Sequence, residues 1–484
     1  FRIHNARQFK EDFGESASST FLFIGRPQAW DASDTTPTPS NSIGEMVNAY
    51  TDMIAMKKIS SSDVSHALVR RDWTTGTTYD EYAHDYSATN TSPASSSNNL
   101  YDSRYFVITD DYNVYKCLRT GRDSSGNVVA STVKPTGTST NPFAVADSSA
   151  AAGRGYIWKY MYSISASETI KFVTNDFIPV KTLGAQTEVN GDLGAFGSAG
   201  ADDGSTQYDV ETAAVDGGIH HVVVSNGGAG YTNGTYNNVA VTGDGSGAVV
   251  SVVVAGGAVT HVYINNICSD EGTGYRRASI NIDDISGIGT PSTSAVVKPI
   301  ISPIYGHGAN PVEELGGIYV IVNSRLEFAE GSGDFPVDND FRRIGLIQDP
   351  FQDDTTTVST DTTLSAMHKM TLSSVSGLSK DDTIMSSASD GTGVAKSIIV
   401  SIDTVNKFVY HLPQENSKGE VVAFATSGTN NVFLGSSSIG TVSAVDSDYP
   451  EVQPHSGEII YIENRGAVSR ASDQIEDIKL IVQM

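Results

Sequence analysis

The residues whose types could do chemistry fall into a few short clusters. Gly243-Asp244-Gly245-Ser246-Gly247 has the glycine density of a phosphate cradle. A cradle of that kind ends in Lys-Ser/Thr and opens a helix whose amides face the phosphate. Here Ala248-Val249-Val250 follows, so the cluster reads as a turn before a strand. His220-His221 offers two metal-ligating types side by side, but neighbours on a strand point to opposite faces. With no cysteine pair and no His-x3-His spacing, no zinc site is expected. Asp334, Asp338 and Asp340 could hold calcium, yet the run lacks the glycine and distal glutamate of a hand-type loop, leaving a solvated loop. His455-Ser456-Gly457-Glu458 has hydrolase-like residue types, but Ile459, Ile460, Tyr461 and Ile462 continue it as a strand edge. There is no Gly-x-Ser-x-Gly elbow, and a glycosidase carboxylate pair cannot be recognised from spacing. Arg70-Arg71-Asp72-Trp73 has two open readings: recognition of a carboxylate-bearing partner, or an Arg–Asp pair holding its own loop. For Arg71 the expected contact is Asp72 or an acidic partner.

The elements that position these clusters are mostly strands. Short apolar runs punctuated by Gly, Asn, Asp and Ser predict strands at Thr20–Gly25, Arg104–Thr109, Asn113–Leu118, Ser397–Asp403, Lys407–His411 and Glu420–Ala425. Helical spacing covers Ser42 to Met56, with Ser42 and Glu45 as a capping box, and Ile3 to Phe13. Over Tyr156–Ile164 the period of two puts Tyr156, Trp158, Tyr160 and Tyr162 on one face, either as a sugar platform or packed against a sheet or a partner. An internal repeat runs from Gly217-Gly218 through His220-His221 to Tyr231, and again from Gly256-Gly257 through His261 to Tyr275. Such units bury their apolar faces by stacking on each other.

Composition bounds the partners. The 484 residues carry 31 basic and 56 acidic side chains, a net charge of −25, which argues against nucleic acid as a partner. Two cysteines exclude a disulfide framework. No apolar run is long enough to span a membrane, and Phe1-Arg2-Ile3-His4 does not read as a signal peptide. Composition shifts near Leu183 and Asp353 divide the chain into a discontinuous core (1–183, 299–352, 449–484), a Gly-rich β-repeat insertion (184–298) and a small β insertion (353–448). The hydrophobic pattern of the core predicts that it folds without residues 190–297.

Several motifs together resemble a known family. Phe23-Ile24-Gly25-Arg26 with Trp30, Thr51-Asp52-Met53 through Lys58, Arg70-Arg71-Asp72-Trp73, Val114-Tyr115-Lys116-Cys117-Leu118, Gly155-Tyr156-Ile157-Trp158-Lys159-Tyr160 and Thr174-Asn175 come in order. Phe341-Arg342-Arg343-Ile344 with Ile347 and Pro350 follows, then His455 through Arg465 with Asp473-Gln474. In this order they resemble the homodimeric peripheral baseplate wedge protein of T-even-type contractile-tailed phages. The resemblance covers roughly 1–180, 300–350 and 449–484. The two insertions depart from it, and their Gly–Tyr repeats look like decorations of marine phage tail proteins.

The resemblance implies a mainly β, multi-domain, sandwich-like core with few short helices and two inserted all-β modules. It implies no enzymatic activity and no cofactor or metal. It implies a virion location in the tail baseplate, with a second copy, other wedge proteins and tail-fibre or peripheral baseplate proteins as partners. The alternative is a receptor- or glycan-binding tail protein using the aromatic row. Arg70, Arg71, Trp73, Trp158, Glu458 and Arg465 are the expected partner-contact residues.

Overall fold

The computed structural model describes residues 2–14, 18–151, 153–185, 201–327, 335–428, 430–471 and 475–484. The motif pair Asp473-Gln474 and the acid Asp334 lie outside them. The chain is mainly β, with five short α-helices among the described residues. It divides into two compact units, one of 1–7, 65–320 and 482–484, the other of 8–64 and 321–481. The first third of the chain therefore contributes to both.

The second unit is built on a five-stranded antiparallel sheet in the order Thr363–Ser365, Met53–Lys58, Thr20–Gly25, Asn339–Gln348, Glu458–Arg470. Thr20–Gly25 is buried along its whole length, as a central strand covered on both faces must be. The strand beside it needs a glycine at 345, because a Cβ there would lie 2.4 Å from the Tyr461 carbonyl and 2.5 Å from the Phe23 ring. Met53–Lys58 corrects the sequence reading, which continued the helix to Met56. The helix stops at Thr51, and Met53 through Met56 are buried in the sheet. Two methionines three apart satisfy helical spacing, but burial on both sides of a sheet rewards the extended chain.

The helix Ile43–Thr51 starts where expected. Ser42 Oγ accepts the Glu45 amide at 3.2 Å, but Glu45 turns its carboxylate to Arg343 and Asn464, so only half of a capping box forms. Ser42→Ala is expected to lower the unfolding free energy by about 1 kcal/mol. An unchanged denaturation midpoint would show that the cap contributes nothing.

In the same unit, six strands from His368–Leu372 to Ser437–Val445 form a closed barrel, with His368–Leu372 pairing both Phe408–Gln414 and Ser437–Val445. Met370, Ile384, Ile399, Val409 and Val432 fill it. Closure removes exposed edges that a short, Ser/Thr-rich sheet would otherwise leave open. Glu420–Ala425, expected as a strand, has no strand assignment. Asp340 is also not in a loop: it lies in the strand Asn339–Gln348 and bonds Arg342 and Ser469, while Asp338 just before it has φ 62°.

The first unit holds the sheet Phe106–Ile108, Asn113–Arg119, Ile157–Ser163, Phe143–Ala144 and the pair Val64–Val69 with Phe177–Val180. The aromatic row splits. The ladder opposite Ile157–Ser163 jumps from Tyr160 to Tyr162, a bulge at Met161. Tyr156, Trp158 and Tyr160 therefore pack with Tyr79 and Tyr115, whereas Tyr162 joins Leu68 and Ile178 on the other side.

The repeats build a separate core of valines and isoleucines in which Tyr231 and Tyr275 are both buried. The glycine cluster serves this packing: a Cβ on Gly245 would meet the Tyr275 ring at 2.5 Å. The region is not all β, since Thr206–Thr212 is a helix that sends Val210 into the cluster around Trp158. Ile219–Asn226 pairs with Val296–Ile301, and Val223 packs on the cluster of Leu68, Tyr105 and Ile300. These shared contacts run against the expectation that residues 190–297 can be removed without loss.

Candidate functional site

The expected contact residues sit in three different surroundings. Arg70 closes a bidentate pair on Asp72 at 3.0–3.1 Å and donates Nη1 to the Thr174 carbonyl at 3.0 Å. This joins two of the resemblance motifs. Trp73 donates Nε1 to Ser131 Oγ at 3.2 Å and is part-buried. Both residues border a groove of about 590 Å³, on whose other side Lys134 is held by Asp110 and Asp111 at 2.6 and 2.9 Å. Its cations already have carboxylate partners, so the groove presents hydrogen-bonding edges more than net charge.

Arg71 does not pair with Asp72, which removes one of the two contacts expected for it. Its guanidinium stacks over the Phe106 ring at 4.6 Å and donates to the Tyr101 carbonyl at 2.9 Å. Burial, only partly offset by Tyr105 and Asp102, holds its pKa below the ordinary arginine value. Arg71→Ala is expected to lower stability by about 1 kcal/mol through lost stacking and one lost hydrogen bond. A denaturation midpoint identical to that of the parent would sink this structural role.

Trp158 has no exposed surface and stacks on Tyr156 with ring centroids 5.7 Å apart. It cannot contact a partner from this position. The same burial covers Tyr156, Tyr160 and Tyr162, so the row offers no sugar platform.

Glu458 and Arg465 lie on Glu458–Arg470, the last strand in the order of the five-stranded sheet. Glu458 is exposed at its start. Arg465 contributes its carbonyl, which accepts Trp30 Nε1 at 3.0 Å. Around Trp30 the dispersed resemblance motifs converge. Arg26 and Arg343 place their guanidinium carbons 5.2 and 5.3 Å from the Trp30 ring centroid. Arg343 also bonds Glu45 at 2.6 Å and Asn464 at 3.1 Å, while Arg26 bonds Asp52 at 3.1 Å. Arg342 shares its Nε–H between both carboxylate oxygens of Asp34 at 2.8 and 2.9 Å. An indole contacted by two guanidinium groups ties together segments far apart in the chain.

Two further clusters bring together residues that no sequence spacing links. In the first unit, Lys116 Nζ is 2.7 Å from Glu314 Oε2, and both side chains are buried. His307 packs edge-on against Tyr82, and His220 against His307. Burial, reinforced by Lys159 and Lys116, pushes His220 down to about 3. Burial likewise brings Lys159 down to about 8 against the pull of Glu314. His221 faces the other way: its Nε2 lies 3.2 Å from Glu81 Oε2, so the two adjacent histidines do occupy opposite sides of their strand. In the second unit, a cavity of about 420 Å³ lies between the barrel and the sheet, lined by Met53, Met56, Leu412, Phe424 and Val452 among others. His411 borders it, bonded through Nδ1 to Ser397 Oγ at 2.9 Å and pushed down by burial to about 3.

No group of three or more His, Cys, Asp or Glu among the described residues has metal-site geometry, and no helix among them is long and apolar enough to cross a membrane. The family model described as Bacteriophage T4, Gp8 matches residues 1–198, less than half of the chain. The motifs at 341–350 and 455–465 lie beyond that match. No curated protein matches the chain significantly.

Proposed function

We propose, from the match of residues 1–198 to the Bacteriophage T4 Gp8 family, that this chain is a structural subunit of a phage tail baseplate. In this reading it is a wedge component that bridges neighbouring wedge proteins and helps transmit the change that triggers sheath contraction. It acts as a homodimer in the virion and performs no catalysis. That match is the observation that carries the proposal. The Trp30 network supports extending the likeness beyond residue 198, because Arg343, Asn464 and Arg465 from the later motifs meet Arg26 and Trp30 from the matched segment. The barrel at 353–448 is read as a module inserted into this framework, with its own closed core. The exposed groove at Arg70 and Trp73 and the strand beginning at Glu458 are the proposed partner surfaces. Burial of the aromatic row takes that surface away from the glycan-binding alternative, which then rests on the glycine-rich repeats.

Electron microscopy of particles labelled with antibody against the barrel tests the reading. Label at the tail baseplate is expected, and label confined to the head or fibre tips would overturn it. Mass measurement of the purified chain tests the dimer, and a strict monomer at micromolar concentration would count against that part.

A further inference from the structure

Three arginines and two histidines line one small cavity in the first unit. The cavity holds about 100 Å³ and is bordered by Arg119, Arg122, Arg154, His221 and His261. The three arginines come from the strand Asn113–Arg119 and the loops near it, and each repeat unit supplies one histidine just before a valine. We propose that this cavity binds a small tetrahedral oxyanion of the phosphate class.

The protein neutralises these cations only in part. Arg122 donates Nη2 to Glu81 Oε1 at 2.9 Å, and Glu81 also accepts the Thr120 amide at 3.0 Å. Burial pushes that carboxyl up, but His221, Arg122 and Thr120 outweigh it and hold it ionised, down at about 2. Glu81 offsets Arg122, and the Asp123 carboxylate acts at longer range on Arg154, so the guanidinium groups still outnumber the carboxylates. Arg119 directs Nε and Nη2 to the carbonyls of Gly153 and Gly155 at 2.7–3.2 Å. These bonds orient it without cancelling its charge, and Nη1 makes no hydrogen bond among the described residues. Arg154 donates Nη1 to the Asp123 carbonyl at 3.3 Å. The Asp123 carboxylate is taken up by its own turn, accepting from Ser125 and Asn127.

Two histidines border the cavity. His221 Nε2 faces Glu81 Oε2 at 3.2 Å. His261 is driven down to about 3 by burial, then by Arg154, Arg119, His221 and Arg122. Cations so arranged repel one another, and an anion accepting from the free guanidinium edges relieves that repulsion. The volume suits a single phosphate-sized group.

The test is calorimetric titration of inorganic phosphate into the full chain at fixed ionic strength, with chloride and acetate in parallel. Saturable one-site binding of phosphate is expected, with no saturation by the other two. Arg154→Gln is the first variant, because Arg154 is part-buried and makes one long bond. It should weaken binding about ten-fold, as the loss of one charge-assisted bond does. His261→Asn is the second, and in the parent the His261 ring resonances should move on titration. Equal responses to phosphate and chloride would overturn the proposal. So would parental affinity in both variants, or saturation by acetate equal to that by phosphate.

Discussion

Replacing Glu314 with alanine should cost the first unit about 3–5 kcal/mol, a large fraction of the stability of an ordinary domain. Glu314 belongs to the short helix Pro311–Leu315, which Asn310 caps by accepting the Glu313 amide at 3.2 Å and Gly316 ends at φ 81°. The helix turns the carboxylate inward. Its Oε2 takes Lys116 Nζ at 2.7 Å, and its Oε1 takes the amides of Gly308 and Asn310 at 2.8 and 3.1 Å. Without it, the ammonium remains buried over the Tyr82 ring at 4.1 Å and two amides lose their acceptor. A cation–π contact returns about 1–2 kcal/mol at most, far short of desolvating an unpaired ammonium.

The partner's removal should be milder. Lys116→Met leaves a carboxylate that still accepts two amides, so a smaller loss is expected than for Glu314→Ala. A double variant Lys116→Met/Glu314→Leu should recover much of the single-variant deficit, since replacing both ends of a buried pair is often near neutral. Urea denaturation of all three against the parent reads this out. A Glu314→Ala loss below about 1 kcal/mol, or equal losses for the two single variants, would show that the pair is hydrated in solution.

Legibility in the sequence followed the range of the interaction. Thr20–Gly25, the helix starting after Ser42 and the strand after His455-Ser456-Gly457 were readable because their signals lie within a few residues. The helix was overextended where Met53 and Met56 meet a sheet that no local pattern announces. The aromatic row was misread past Met161, because a bulge needs a partner strand to be seen. Trp158 shows the same limit: a large aromatic in a quoted motif reads equally as surface or core until its neighbours are placed.

The sites follow the same rule. Arg70 with Asp72 was foreseeable at a spacing of two, and one of the two open readings named an Arg–Asp pair in that loop. Arg343 with Glu45 was not, being 298 residues apart. Nothing local ties Glu314 to Lys116, 198 residues away. The oxyanion cavity was hidden for the same reason. Its histidines were seen as adjacent or repeated residues, while its arginines lay in other segments and looked like scattered surface charge.

Acidification should unfold the chain well above the pH at which carboxylates titrate. His220, His307 and His411 are each about 95% buried (7%, 4% and 5% exposed), and each is held neutral. For His220 and His307 the causes are burial and then the nearby lysines, for His411 burial and then His368. An unfolded histidine takes a proton near pH 6.5, whereas His220 and His411 in the fold wait until about 3. Between those values the unfolded chain binds more protons than the folded one, so stability falls as pH falls. At pH 5 each such histidine removes about 2 kcal/mol relative to pH 7. His220 belongs to one unit and His411 to the other, so both units lose stability in this window. Glu81, held at about 2, adds a further loss only below its unfolded value near 4.5. A midpoint measured by urea at pH 7, 6 and 5 should therefore drop steeply before any carboxylate effect begins. His411→Phe should start lower at pH 7, because Ser397 loses its partner, and then decline less between pH 7 and 5 by about 2 kcal/mol for its unit. Parallel declines in parent and variant would show that His411 is protonated in the fold, and would refute the account.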